Sequence, residues 1–334
     1  MRLDAASRSF GALVVTTVLP GTYVLCGAFG SVLVPLAGGR IPRDGFARLL
    51  DGGDSSMALL GFLIVVAVSL VLGIRSMRRQ LSATRRIAQS VRELMLPVPD
   101  TLARTTGEVG LDGRVVLLDV PERFSFAYGA LTPRVAISRG LFDGVSHAEL
   151  RAVLEHERYH VENLDPLKLL VAQTLSATVF FLPSLDWLRS RYLAGRELAA
   201  DRRAVDACGR RPLASALLKV VGGPDWVEPD DVAAIGGAAL MDVRVAQLET
   251  GVEPKSAPIA TTRGVLSLAG AALFAAGLLA SASSLGVALS AAALLNGLIC
   301  AAAFGGAGML LFAIVAYRAK RPMPSEHDRP LRGR

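Results

Sequence analysis

Aromatic residues make up 6% of this chain, and its 334 residues include three cysteines and four histidines. With so few aromatics, Ala, Leu, Val and Gly carry a hydrophobic fraction of 52%. The cysteines, Cys26, Cys208 and Cys300, are scattered and two lie inside apolar runs. That argues against a disulfide framework and against a cysteine-built metal site. Lysine is rare beside arginine, a bias that fits a GC-rich bacterial genome rather than a function. Despite the net charge of +7, the basic clusters lack the interleaved aromatics of a single-strand binder, so no direct nucleic-acid binding is expected.

Charge itself is missing from three long stretches, Ser9 to Gly39, Met57 to Ile74 and Gly264 to Tyr317. A bilayer core needs about 20 apolar residues per helical span, so the first two stretches hold one span each and the third a hairpin of two. The hairpin turn is expected near Ser281 to Gly286. With a mean hydropathy of +0.45, this composition excludes an ordinary soluble enzyme and suits a membrane protein with one modest polar domain. Arg2 and Arg8 could introduce a signal peptide, but Leu25-Cys26-Gly27 is a poor lipobox and the apolar run is too long, which favours an uncleaved helix. Arg75, Arg78, Arg79, Arg85 and Arg86 follow the second span and fix its exit on the cytoplasmic side. The expected organisation is therefore two transmembrane helices in 1–74, a cytoplasmic domain in 75–263, two transmembrane helices in 264–317 and a basic cytoplasmic tail in 318–334.

Within the polar domain, Glu155-His156-Glu157-Arg158-Tyr159-His160 carries the chemistry. Residues four apart share a helix face, so His156 and His160 can ligate one zinc ion while Glu157 stands beside them as a base. This is the H-E-x-x-H pattern of metallopeptidases. A helix is expected there independently: Ser146 and Glu149 form a capping box, and Leu150, Val153, Leu154, Val161 and Leu164 recur at helical spacing. Arg151 with Glu155 and Arg158 with Glu162 are spaced as solvent-side pairs. A catalytic zinc needs a third ligand, and Glu197 and Asp201, four apart in Arg196-Glu197-Leu198-Ala199-Ala200-Asp201-Arg202, offer one. Glu197 is the candidate ligand, and Asp201 the carboxylate that fixes a histidine tautomer. The competing reading is an exposed acidic pair among Arg189, Arg191, Arg196, Arg202 and Arg203. Arg244, on an expected helix with Met241, Val245 and Leu248, could reach the site and stabilise an oxyanion, but a solvated helix face is the simpler expectation.

From Ser146 to Ala207 the chain resembles the membrane zinc metallopeptidases of the beta-lactam sensor-transducer (BlaR/MecR antirepressor) type, related to the HtpX and CAAX prenyl protease group. The matching residues are those before Glu149-Leu150, His156 to His160, Asp165-Pro166, Phe180-Phe181-Leu182-Pro183, and Arg196 to Asp201. Ser125 to Gly129 and Val135 to Leu141 are similar to the two strands preceding the zinc helix in that group. The resemblance implies that Ser125, Phe126, Ala127 and Tyr128 lie at a sheet edge and bind extended substrate by strand addition. It does not extend to beta-lactam sensing: no S-x-x-K motif and no large domain after the last apolar segment is found.

The fold class expected is an α-helical integral membrane protein with a small α+β zincin-like metallopeptidase domain, its short strands near 115–119, 124–128 and 135–138. Residues 167–185 are apolar enough to suggest a span, yet one crossing would separate His156 and His160 from Glu197 by about 30 Å of bilayer. This segment is therefore buried or re-entrant. The expected function is a one-zinc endopeptidase of the bacterial inner membrane, multi-pass, cutting a protein substrate at the cytoplasmic face. The resemblance suggests a transcriptional repressor or a membrane-associated protein as that substrate. Membrane-protein quality control and a non-proteolytic zinc scaffold are the alternatives.

Overall fold

The computed structural model describes residues 6–17, 54–220, 233–234, 240–254 and 258–284. The loop before Asp54, Cys26, Cys300 and everything after Ser284, including most of the expected hairpin and the tail, lie outside the described residues. Residues 6–17 form α1, whose Ala6 and Leu13 are buried against Ala172 and Tyr192.

Helix α2 (Asp54–Glu93) joins the apolar stretch to the polar domain without a break. Its stretch from Leu60 has a mean hydropathy of 2.3 and is scarcely buried, long and apolar enough to cross a membrane by length and composition. Further along, the apolar residues narrow to one stripe: Ala83, Ile87 and Val91, four apart, are buried, while the arginines between them face outward.

That stripe docks on a five-stranded sheet built from β1 (Met95–Leu96), β2 (Val115–Leu118), β3 (Ser125–Tyr128), β4 (Arg134–Ser138) and β5 (Ala233–Ala234). The order is β1-β2-β4-β3-β5, with β2 and β4 parallel and the other pairs antiparallel. Side chains alternate across a strand, so Val116, Leu118, Phe126 and Ala136 meet Ile87 and Val91, while Val115, Leu117, Ala127, Val135 and Ile137 face the opposite core. Both faces are covered, which is why Val115-Val116-Leu117-Leu118 reads as a continuous apolar run rather than an alternation. The turn from β3 to β4 needs Gly129, whose φ is +90° and where a Cβ would lie 2.8 Å from the Thr132 carbonyl oxygen. Between β1 and β2 stands α3 (Asp100–Glu108), and α4 (Arg139–Gly144) follows β4.

Helix α5 (His147–Glu162) lies across the second sheet face, burying Leu150, Val153, Leu154 and Val161. Its capping box is formed: the Ser146 backbone N–H donates to Glu149 Oε2 at 2.6 Å, and the Glu149 N–H donates to Ser146 Oγ at 3.4 Å. Arg158 pairs with Glu162 at 2.7 Å as its spacing implies. Glu155 departs from the expected solvent face, because it is buried and meets Arg203 at 3.4 Å.

The apolar run 167–185 is two elements rather than one. Helix α6 (Asp165–Thr178) stops, residues 179–182 turn, and Pro183, which suits a first helical turn, opens α7 (Pro183–Cys208). The chain therefore doubles back, and α7 packs along α5. The corner sits against the apolar part of α2 and against α10 (Thr261–Ser284): Gly73 faces Thr178, and Phe181 stacks on Phe274 at 5.0 Å. After α7 come α8 (Arg210–Lys219) and, beyond β5, α9 (Met241–Thr250).

Glu149 also ties α8 to α5, accepting from Lys219 Nζ at 2.7 Å and from the Ser215 hydroxyl. Burial would raise its carboxyl, yet the bonds from Lys219, Ser215 and Ser146 hold it down at about 2. A depressed folded-state value stabilises above the ordinary 4.5 and stops doing so as pH falls toward 2. Glu149→Gln should therefore melt lower than the wild type near pH 7, by roughly 1 kcal/mol as cap losses do. Calorimetry in detergent should show this gap closing as pH falls below 4.5; a pH-independent gap would rule out the charge as its source.

Candidate metal centre

One turn of α5 and one turn of α7 face each other in the interior of the domain. His156 and His160 come from the first, Glu197 and Asp201 from the second, and Ala199 and Ala200 pack with Tyr159 to allow the helices close approach. One ligand atom from each of His156, His160 and Glu197 falls within 4.8 Å of the others, and all three residues are buried. The Nε2 atoms of the two histidines are 3.1 Å apart, with Glu197 Oε2 3.5 Å from the first and Oε1 3.7 Å from the second.

Each imidazole is held from behind by a carboxylate. His156 Nδ1 lies 2.8 Å from Asp201 Oδ1, and His160 Nδ1 lies 2.6 Å from Asp165 Oδ2. Carboxylates there keep the proton on Nδ1, so both Nε2 lone pairs point into the same space. Two imidazole nitrogens and a carboxylate converging at a buried point call for a positive charge among them, a proton on Nε2 or a metal ion in its place. This donor set fits a divalent ion, and nitrogen and carboxylate ligands of this number suit zinc. Burial would depress His156, but Asp201 and Glu197 outweigh it and raise His156 to about 9. Burial likewise opposes the charge on Glu197, whose carboxyl is nonetheless held low by His160, His156, Arg196 and Arg244.

A further layer orients the two carboxylates. Arg244 is fully buried, and its Nε and Nη2 donate to Asp201 Oδ2 and Oδ1 at 2.7 and 2.5 Å. Its Nη1 stands 3.8 Å from Glu197 Oε2. The expectation of a solvated face for Arg244 is thus overturned: α9 is rotated to bury Arg244 and Gln247, with Gln247 Nε2 donating to the Leu198 carbonyl at 2.9 Å, while Val245 is exposed. The reason is electrostatic, since buried Asp201 needs a cation beside it. On the other side, Tyr192 OH donates to Asp165 Oδ1 at 3.1 Å. Asp165 reaches His160 because Leu164, a buried residue with φ of 55°, reverses the chain straight after α5.

Glu157 lies beside the cluster. Its Oε1 accepts a hydrogen bond from Ser125 Oγ at 2.7 Å, and its buried Oε2 has no partner. Burial pushes its carboxyl up, against the pull of His160, His156 and the Ser125 bond, which suits a proton acceptor working near neutral pH. Ser125 comes from β3, so the sheet positions the base directly. Phe126 and Ala127 are fully buried and pair outward with Ala234 and Ala233; only Tyr128 of the four is part-exposed. The edge expected at β3 therefore lies one strand further out, at β5.

Sequence reasoning placed His156, His160, Glu157, Glu197 and Asp201 in one site, and the structure brings them together. It did not assign Asp165, Tyr192 or Arg196 a role, and Arg196 entered only in the competing reading of an exposed acidic pair among arginines, whereas Arg196, Glu197 and Asp201 are all buried. For Asp165 a signal was present: a carboxylate five residues after His160, followed by Pro166 where α5 has to end.

Replacing His156, His160 or Glu197 by Ala should remove most of the metal from purified protein, read by elemental analysis. Asp165→Ala and Asp201→Ala should each weaken zinc binding by about 10- to 100-fold, as losses of orienting carboxylates do. Full zinc occupancy in Glu197→Ala would place the third ligand elsewhere.

Residues 51–248 match the family described as BlaR1 peptidase M56. The chain is 31% identical to Protease HtpX homolog 2 of Methanosarcina mazei, covering 40% of this chain and 64% of that protein. It is 30% identical to the protein of the same name in Methanosarcina acetivorans, over the same shares. With Protease HtpX homolog of Acidiphilium cryptum it shares 28% identity over 35% of this chain and 53% of that one. The chain thus spans less than two thirds of the length of these curated relatives. The matched residues include β1 to β4 and every side chain of the cluster described above, and they amount to more than half of the sequence: this chain belongs to the BlaR1 peptidase M56 family.

Proposed function

We propose that the chain is a membrane-embedded zinc endopeptidase that cuts protein substrates at the cytoplasmic face. The observation that carries this reading is Glu157, a buried carboxylate with one oxygen held by Ser125 and the other free, beside three convergent ligands. A structural zinc site is closed by four protein ligands, whereas the cluster here has three among the described residues.

Zinc held by His156, His160 and Glu197 would supply Lewis-acid polarisation of the scissile carbonyl and a water acidified to a pKa of about 7. Glu157 takes the proton of the attacking water on its free oxygen and passes it to the leaving amide nitrogen. Ser125 keeps Glu157 turned toward the site through both transfers. Asp201 and Asp165 keep each imidazole in the ligating tautomer, with Arg244 and Tyr192 locking the carboxylates.

Membrane placement is supported by the exposed apolar length of α2 and by the arginines that follow it, which by the positive-inside rule face the cytoplasm. The same helix runs on to the sheet, so the site lies on the arginine side. The family match supports a transcriptional repressor or a membrane-associated protein as the substrate, cut in regulated proteolysis. A second reading, membrane-protein quality control, is favoured by the α6–α7 corner, which places Phe181 against α10 and Gly73 of α2 against Thr178, close to where a bilayer would begin.

Glu157→Gln should keep its zinc and its membrane insertion but lose cleavage by about 100- to 10,000-fold. Comparing new peptide termini in cells carrying wild type or Glu157→Gln would name substrates, and full rescue of a deletion strain by Glu157→Gln would sink the peptidase reading in favour of a zinc scaffold. For topology, reporters inserted near Arg104 and fused after Arg321 should read cytoplasmic and one at Asp51 external. An exported signal at Arg104 would move the site across the membrane.

A further inference from the structure

The two arginines buried at the site are not equivalent. Arg244 spends Nε and Nη2 on Asp201 and so belongs to the scaffold behind His156, with only Nη1, 3.8 Å from Glu197 Oε2, lacking a hydrogen-bond acceptor. Arg196 is 5% exposed, and its Nε and Nη1 have no hydrogen-bond acceptor; the nearest carboxylate oxygen, Glu197 Oε1, is 3.4 Å from Nε in a geometry that makes no hydrogen bond. A guanidinium keeps its proton at any working pH, so these are permanent donors, buried and unused. Buried donors without acceptors are rare in a settled structure and mark a place where something else binds.

Arg196 sits on the His160 side of Glu197, since the same Glu197 Oε1 is 3.7 Å from His160 Nε2. The charges around it are those of Glu197 first, then Tyr192 and Asp165, with Glu157 more weakly. Resting on the peptidase reading, we propose that Arg196 is a catalytic residue that binds the oxygen of the scissile carbonyl and stabilises the oxyanion formed when water adds to the carbon. As the water oxygen bonds to that carbon, the carbonyl π pair moves onto oxygen and Glu157 takes the water's proton. When the C–N bond breaks, the carbonyl re-forms and the proton goes to the leaving nitrogen.

Charge supports the assignment. Two arginines and a divalent ion balance Glu157, Glu197, Asp165 and Asp201, and when Glu157 is protonated its negative charge is replaced by that of the oxyanion. The negative charge moves within the site, and Arg196 interacts with its starting point while having two donors free for its destination.

The test compares wild type, Arg196→Ala, Arg196→Gln and Arg196→Lys as full chains in detergent. Three readouts are taken: zinc content, affinity for a phosphinic pseudo-tripeptide with a Gly-Phe-Ala side-chain sequence, and affinity for the parent peptide measured with Glu157→Gln added to stop turnover. Arg196→Ala should keep its zinc, bind the parent peptide within about threefold of normal, and lose about 100- to 1,000-fold in affinity for the tetrahedral phosphinate. Lysine should recover part of that loss through its charge and glutamine little. If either Ala or Gln unfolds, the lysine and remaining variant still separate charge from volume.

Equal losses for peptide and phosphinate, or loss of zinc, would overturn the proposal by making Arg196 a structural partner of Glu197. So would a wild type that binds the phosphinate no better than the peptide. Cleavage by wild type against Glu157→Gln decides the peptidase reading separately, so an active enzyme with an Arg196→Ala of normal phosphinate affinity refutes only the role of Arg196.

Discussion

Two imidazoles whose Nε2 atoms approach to 3.1 Å at a buried point need a positive charge between them, a proton or a metal ion, and much of the domain exists to hold them so. Left alone, either ring would rotate or take up a proton. Asp201 and Asp165 prevent the first by gripping Nδ1, and they are gripped in turn by Arg244 and Tyr192. The two supports are built differently. One is a salt bridge between α7 and α9, far apart in sequence. The other is a short loop in which a left-handed Leu164 turns the chain back onto the helix it has just left. A strained residue persists where its surroundings over-determine it, and here Leu164 is buried while Asp165 is fixed at two oxygens.

What could be read from the sequence follows the range of the interactions. His156, Glu157 and His160 lie within one and a half turns of one helix, so spacing alone puts them together. Ser146 and Glu149 are equally local, and their capping box forms as their spacing requires. Glu197 and Asp201 were legible as a pair, but their meeting with α5 needed the chain to reverse at 179–182. Arg244 was misread because its helix is amphipathic in the ordinary sense only if charge is assumed to seek water. Its face was decided by Asp201, 43 positions away. Arg196 was hidden similarly: among five neighbouring arginines nothing local distinguishes the one that turns inward. The edge of the sheet was misplaced because β5 is two alanines long and carries no pattern a strand could be recognised by.

Ser125 joins the two halves of the design. The sheet is packed on one face by α2 and on the other by α5, and Ser125 reaches from β3 to Glu157. The base is thus tied to the sheet by a hydrogen bond, while the third ligand, Glu197, comes from α7. Because His156 and His160 share α5 with Glu157 and α5 packs on the sheet, a change that moves the sheet reaches proton transfer and metal binding together.

Helix α2 carries a constraint of a different kind, on length rather than composition. The docking stripe at Ile87 and Val91 and the apolar stretch that ends near Ile74 belong to one unbroken helix, so their angular relation is fixed by the count of residues between them. Each inserted or deleted residue would turn the stripe by about 100°, away from Val116 and Phe126, whereas seven would return it to within about 20°. The segment between can therefore change its residues so long as it stays basic, but natural relatives sharing this join should vary there in length in steps of a heptad or not at all.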